Sequence, residues 1–124
     1  MPPIPGRVSV TNLTRGTKLA TSMPVASSMV DRMVGLLRTP QAKLGDGLLI
    51  EKSPSIHMFF MPYAIDAVFV DAEACVTRLA PGLRPWRVVW WARGARDCLE
   101  LPTGRIAASD TRVGDRLEIA PAAS

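Results

Sequence analysis

The chain has 124 residues and a formal net charge of +4, with 48% of its residues hydrophobic and 21% charged. That length suits one domain that buries a core without a metal or a disulfide framework. The 11 prolines and 9 glycines cut it into short elements and exclude a long-helix bundle. No apolar run is long enough to span a membrane, and the polar N-terminal stretch is no secretory signal, so a cytoplasmic protein is expected.

Arg7 to Leu13 alternates, with Val8 and Val10 on one face and Ser9 and Thr11 on the other, which predicts a half-buried strand. Thr14-Arg15-Gly16 reads as a turn into a second strand from Thr17 to Met23, hence a hairpin. Ser28 to Leu37 carries Met29, Val30, Met33, Val34 and Leu37 at helical spacing, with Ser27 or Ser28 as cap and Thr39-Pro40 as stop. Leu48 to Ile50, Ile56 to Phe60 and Ile65 to Asp71 read as buried strands, and Asp71-Ala72-Glu73 as a turn. Cys75 to Leu79 alternates again until Pro81-Gly82 and Pro85 break it, Trp86 to Trp91 reads as an edge strand, and Ala92 to Arg96 is irregular. Cys98 to Leu101 and Arg116 to Ala120 complete the strands, with Gly114-Asp115 in the turn between them.

The expected architecture is mainly β: a compact antiparallel sandwich or partly closed, jelly-roll-like barrel of about eight or nine short strands with one helix near residues 28–37. Residues 1–120 form a single globular domain, and 121–124 a disordered tail. Cys75 and Cys98 read as buried free thiols, since a lone pair at this spacing is neither a disulfide framework nor a zinc pattern.

The run from Ser55 to Asp71 holds the only histidine, His57, together with Asp66 and Asp71. Polar groups in so apolar a run need partners from elsewhere in the chain. Arg78, Arg84, Arg87, Arg93 and Arg96 follow with no acid among them, beside Trp86, Trp90 and Trp91. Arginine with aromatics can hold phosphates and stack bases; a solvated basic face with the tryptophans in the core is the plainer alternative.

At these residues the chain resembles the bacterial and archaeal domain of unknown function 192 family. The resemblance rests on RMVGLLR (32–38), GDGLLI (45–50), SIHMFFMPYAIDAVFVD (55–71), LRPWR (83–87), LELPTG (99–104) and VGD (113–115), in that order. It implies a compact, mostly β domain with one helix and no established activity, so no catalytic residue carries over. Many members look exported or lipid-anchored, a feature for which this chain shows no signal.

The candidate ligand-binding residues are His57, Asp66, Arg84, Trp86 and Glu100. His57 could serve as base or ligand, or as a structural histidine bonded to a carbonyl or carboxylate. Asp66 could orient it or be a buried partner for an arginine or for turn amides. Glu100 faces solvent or a pocket mouth. Arg84 and Trp86 flank Pro85 in an extended segment and could hold an anion and stack on it, or the tryptophan could plug the sandwich. No zinc spacing, phosphate loop or nucleophile elbow is present, so no metal or cofactor is expected.

The expected function is a small-ligand or peptide binding module with a polar pocket for a polar or anionic ligand. A hydrolase- or isomerase-type enzyme using a His57–Asp66 pair is the alternative, so enzymatic activity stays open. A weak nucleic-acid binder acting through residues 78–96 ranks third and is disfavoured, and no membrane partner is expected.

Overall fold

The computed structural model describes residues 3–26, 47–58, 61–89 and 91–123. The first hairpin forms as the alternation dictates. β1 (Pro3–Asn12) and β2 (Thr17–Ala26) pair antiparallel, and Asn12 sits opposite Thr17 across the turn. β3 (Leu48–Ile50), β4 (Ile56–His57), β5 (Ile65–Val70), β6 (Val76–Leu83), β7 (Val88–Val89) and β8 (Asp97–Leu101) follow, then a short helix α1 (Arg105–Ser109) and β9 (Leu117–Ala123).

Seven strands form one mixed sheet in the order β6-β5-β8-β3-β2-β1-β9, and β4 pairs with β7 in a small second sheet. All ladders are antiparallel except β2 with β3, where Val25 meets Leu49 and Ala26 meets Ile50. The wholly antiparallel sheet read from the sequence is corrected at that pair. The chain between β2 and β3 is long enough for the crossover that a parallel pair demands, and no tight turn can supply one. The two ends of the strand order meet at a single bridge, Cys75 with Arg116, reinforced by Val76 N–H to Asp115 O and Leu117 N–H to Ala74 O. The sheet thus curls back on itself at one corner without closing a barrel.

Side-chain alternation on β5 and β8 creates two cores. Ile65, Ala67, Phe69 and Cys98 point to one face, with Leu48 and Ile50 of β3, and the small sheet covers them through Ile56 and Val89. Val68, Val70, Leu99 and Leu101 point to the other. There Val10, Leu19, Ala20 and Met23 of the hairpin, Leu117 of β9 and Ile106 of α1 close over them. With both faces covered, every residue of β5 and β8 is buried, which is why neither strand reads as a clean alternation of apolar and polar residues.

Several boundaries differ from the sequence reading. β4 is only Ile56–His57, because it pairs with an equally short β7. The edge strand expected over Trp86–Trp91 reduces to Val88–Val89. β6 runs through Pro81 and Gly82, at the edge of the large sheet, where a missing N–H costs no ladder bond. Residues 121–123 are no loose tail: β9 extends to Ala123, and Ala122 is buried. The helix expected at 28–37, Phe59–Phe60 and Trp90 lie outside the described residues. α1 was not anticipated, since Pro102-Thr103-Gly104 reads only as a stop; Gly104 adopts φ 91 and leads straight into it.

Gly47, which opens β3, fixes how closely β3 approaches β8. Its φ is 105, and a Cβ there would lie 2.0 Å from the Glu100 carbonyl oxygen. Gly47→Ala is expected to lower unfolding free energy by about 3 kcal/mol, from overpacking against backbone and a strained φ. Urea denaturation of the variant beside the parent checks this.

Candidate functional site

The buried aspartates are taken up by the backbone. Asp66 lies on β5 beside Ala67, but its side chain points to the α1 face. Its Oδ1 accepts Gly82 N–H and its Oδ2 accepts Ile106 N–H, both at 2.9 Å. One carboxylate therefore ties the kinked edge strand and the first turn of α1 to the central strand. Asp71 Oδ1 accepts the amides of Glu73 and Cys75, each at 2.9 Å, and holds the tight β5–β6 turn. Asp97 accepts Lys52 N–H at 3.0 Å and the Arg96 guanidinium at 3.1 Å. That hydrogen bond holds the Arg96 guanidinium above its ordinary value.

Asp115 is the centre of a larger cluster that sequence reasoning treated as a turn residue. Its Oδ2 accepts Asn12 Nδ2 at 3.0 Å, Arg15 Nε at 3.1 Å and Arg112 N–H at 2.9 Å. Asn12 Nδ2 also donates to Thr111 Oγ1 at 3.1 Å, and Ser109 Oγ lies 2.7 Å from the same oxygen. Burial alone pushes the Asp115 carboxyl up, but bonds from Arg15, Asn12 and the Arg112 amide, with the Arg15 charge, outweigh it and hold it at about 2. The available signal was an Asp in the VGD turn with Asn12 and Arg15 in another turn; only the fold brings the two turns together.

The five candidate residues do not share a pocket. His57 is half-buried on β4, opposite Val88 of β7, while its neighbours Ile56 and Met58 point into the core. Asp66 points to the α1 face of the large sheet, whereas β4 packs on the other, and both its oxygens accept backbone amides, so it is placed to join elements and not to orient His57. Glu100 is 0% exposed, on the face that Leu48 and Ala67 occupy, with neither of the solvent-facing or pocket-mouth placements expected of it. The reason is the position of β8 between β5 and β3, which leaves it no solvent face. Asp66 and Glu100, adjacent through the β5–β8 ladder, thus point to opposite faces.

Arg84 and Trp86 do come together, with two further arginines. Arg84, Pro85, Trp86 and Arg87 form a turn, not an extended segment, in which Arg87 N–H donates to Arg84 O at 3.2 Å. Proline at the second position and a left-handed residue at the third give type II geometry, where glycine is the comfortable occupant. Trp86 fills that place at φ 71, at a cost of about 1–2 kcal/mol for a side chain with a Cβ. The turn is anchored to β4: Trp86 N–H donates to Met58 O and Met58 N–H to Arg87 O, both at 2.7 Å. Trp86 is 59% exposed and Trp91 66%, so neither plugs the core.

Between this turn and β6 runs an open groove of about 440 Å³. Leu79, Ala80, Leu83, Val88 and Val89 form its apolar part, and among the described residues its charged lining is Arg78, Arg84 and Arg87, all exposed. None of the three guanidinium groups is ion-paired or hydrogen-bonded among the described residues. Arg7, Arg15, Arg96 and Arg112, by contrast, all have partners. His57 pairs across the small sheet with Val88, a lining residue, but is not itself part of the lining. Among the described residues no three His, Cys, Asp or Glu side chains are placed to hold a metal.

The family model DUF192, described as Uncharacterized ACR, matches residues 10–119. The chain belongs to the DUF192 family. A UPF0127 protein of Pyrococcus furiosus is 36% identical over 110 residues, covering 86% of this chain and 94% of that protein. One of Thermococcus sibiricus is 31% identical over 111 residues, covering 86% and 71%. Two crystal structures share the fold. A Sinorhizobium meliloti protein, described as a candidate transcription regulator, has TM-score 0.74 at 21% identity, covering 91% of this chain and 92% of that one. A Novosphingobium aromaticivorans protein of unknown function has TM-score 0.68 at 22%, covering 90% and 83%. At such identities the likeness concerns the fold alone. The DUF192 chain has no helix, among its described residues, long and apolar enough to cross a membrane.

Two measurements check the structural aspartates. Asp66→Asn keeps one acceptor for two amides and should lower unfolding free energy by about 2 kcal/mol, read by urea denaturation. For Asp115 the folded carboxyl titrates near 2 against an ordinary 3.8. Its contribution, about 2 kcal/mol, is full above pH ~4 and disappears as the pH falls to about 2. The stability gap between parent and Asp115→Asn should therefore close across that window.

Proposed function

We propose that this DUF192 protein is a single-domain binding module that holds an anionic ligand in the groove between β6 and the 84–87 turn. One observation carries the reading: Arg78, Arg84 and Arg87 line the same groove without a counter-ion among the described residues. Like charges gathered over an apolar floor repel one another and focus a positive field into the groove. A bound anion relieves that repulsion, and arginine's planar fork suits carboxylate or phosphate. Trp86 offers a flat surface beside the charges. A cytoplasmic setting suits Cys75 and Cys98 as thiols outside any disulfide.

The test is thermal unfolding at low ionic strength with inorganic phosphate, pyrophosphate or sodium chloride of matched ionic strength. Pyrophosphate should raise Tm by a few degrees above the matched salt, since a ligand at about 100 times its Kd adds about 2.7 kcal/mol. Arg84→Gln with Arg87→Gln should abolish the gain, whereas Arg93→Gln, outside the groove, should keep it. Equal shifts in all three proteins would refute the reading.

A further inference from the structure

We propose that the groove's ligand is a single-stranded nucleic acid, its phosphates following Arg78, Arg84 and Arg87 and one base stacking on Trp86. This rests on the anion-site reading above and names the class of anion. Arg84 and Arg87 are the ends of one turn, so their Cα atoms lie within about 7 Å. Arg78 lies six residues before Arg84, on β6. Cations spaced along the groove in this way suit a run of phosphates better than a single one.

Trp86 selects among polyanions. It stands between two groove arginines, 59% exposed, in a left-handed place that glycine would fill without strain. A strained backbone at an aromatic residue open to solvent is a feature that clusters at functional sites. An acidic peptide or inorganic polyphosphate engages the guanidinium groups and leaves the ring idle. An unpaired base uses both. A duplex hides its base faces within its own stack, so stacking on Trp86 requires a single strand. Among the described residues the groove is lined, apart from its arginines, by Leu, Ala, Pro, Gly and Val. None of these carries an amide or hydroxyl side chain to read a base edge, so binding should tolerate any sequence.

The experiment uses the full chain and four labelled probes: an oligothymidylate of about ten nucleotides, the same backbone without bases, its duplex with oligoadenylate, and polyglutamate, each followed by anisotropy at two salt concentrations. The base-bearing single strand should bind roughly 5-fold or more tighter than the other three. Arg84→Gln should weaken it and flatten the salt dependence by close to one unit of slope. Trp86→Gly should erase the preference for the base-bearing strand over the baseless one, without a large drop in Tm. Equal binding of the baseless strand or of polyglutamate would overturn the nucleic-acid proposal and leave the anion site standing. Binding of no probe, with no pyrophosphate effect on Tm, would remove both. A large drop in Tm for Trp86→Gly would show that the ring serves the fold, and would overturn its assigned role.

Discussion

The structure depends on carboxylates that satisfy backbone amides where the chain turns. A sheet of short strands has many turns, and each exposes N–H groups that no ladder takes up. Asp66, Asp71, Asp97 and Asp115 accept such amides in four different places. Asp66 works over the longest reach, because Gly82 and Ile106 belong to different elements and it fixes both against β5. Asp115 goes further and joins the β1–β2 turn to the segment before β9, with Arg15 and Asn12 as its partners.

That use of acids has an electrostatic consequence. Asp66 and Asp71 are committed to turn amides, and Asp97 and Asp115 also serve Arg96 and Arg15, so none of the four turns to Arg78, Arg84 or Arg87. Arg96 draws on Asp97, but Arg78, Arg84 and Arg87 have no such neighbour. The excess of basic over acidic residues, 15 against 11, therefore becomes a local field and not a diffuse one. The turn that presents two of those arginines is itself held by the small sheet, through paired bonds between Met58 and residues 86–87. Fold and groove thus share one support: the short β4 strand covers the core with Ile56, and Met58, the residue after it, positions the turn.

The two cores explain why residues close in the ladder act apart. β5 and β8 lie inside the large sheet, so alternation sends Asp66 to the α1 side and Glu100 to the β4 side. A site built from both would have to pass through the sheet. The surface that remains is at its edge, where β6 bulges around Pro81 and Gly82 and meets the 84–87 turn.

The residue pattern by itself determined the hairpin, the strands at 48–50, 65–70 and 97–101, the turn at Asp71, and the mostly β class. Those features follow from local periodicity and turn chemistry, which act over a few residues. It also marked the arginine and tryptophan segment as a place for anions and rings. Only the tertiary structure decided the parallel β2–β3 pair, the short helix after Gly104 and the joining of Asn12 with Asp115 across 103 positions. It alone put Asp66 and Glu100 on opposite faces and folded residues 84–87 into a turn beside β6. Period-two alternation says that neighbours on a strand face opposite ways, but not which face meets which element. That choice belongs to strand order, and strand order is set by contacts far apart in the chain.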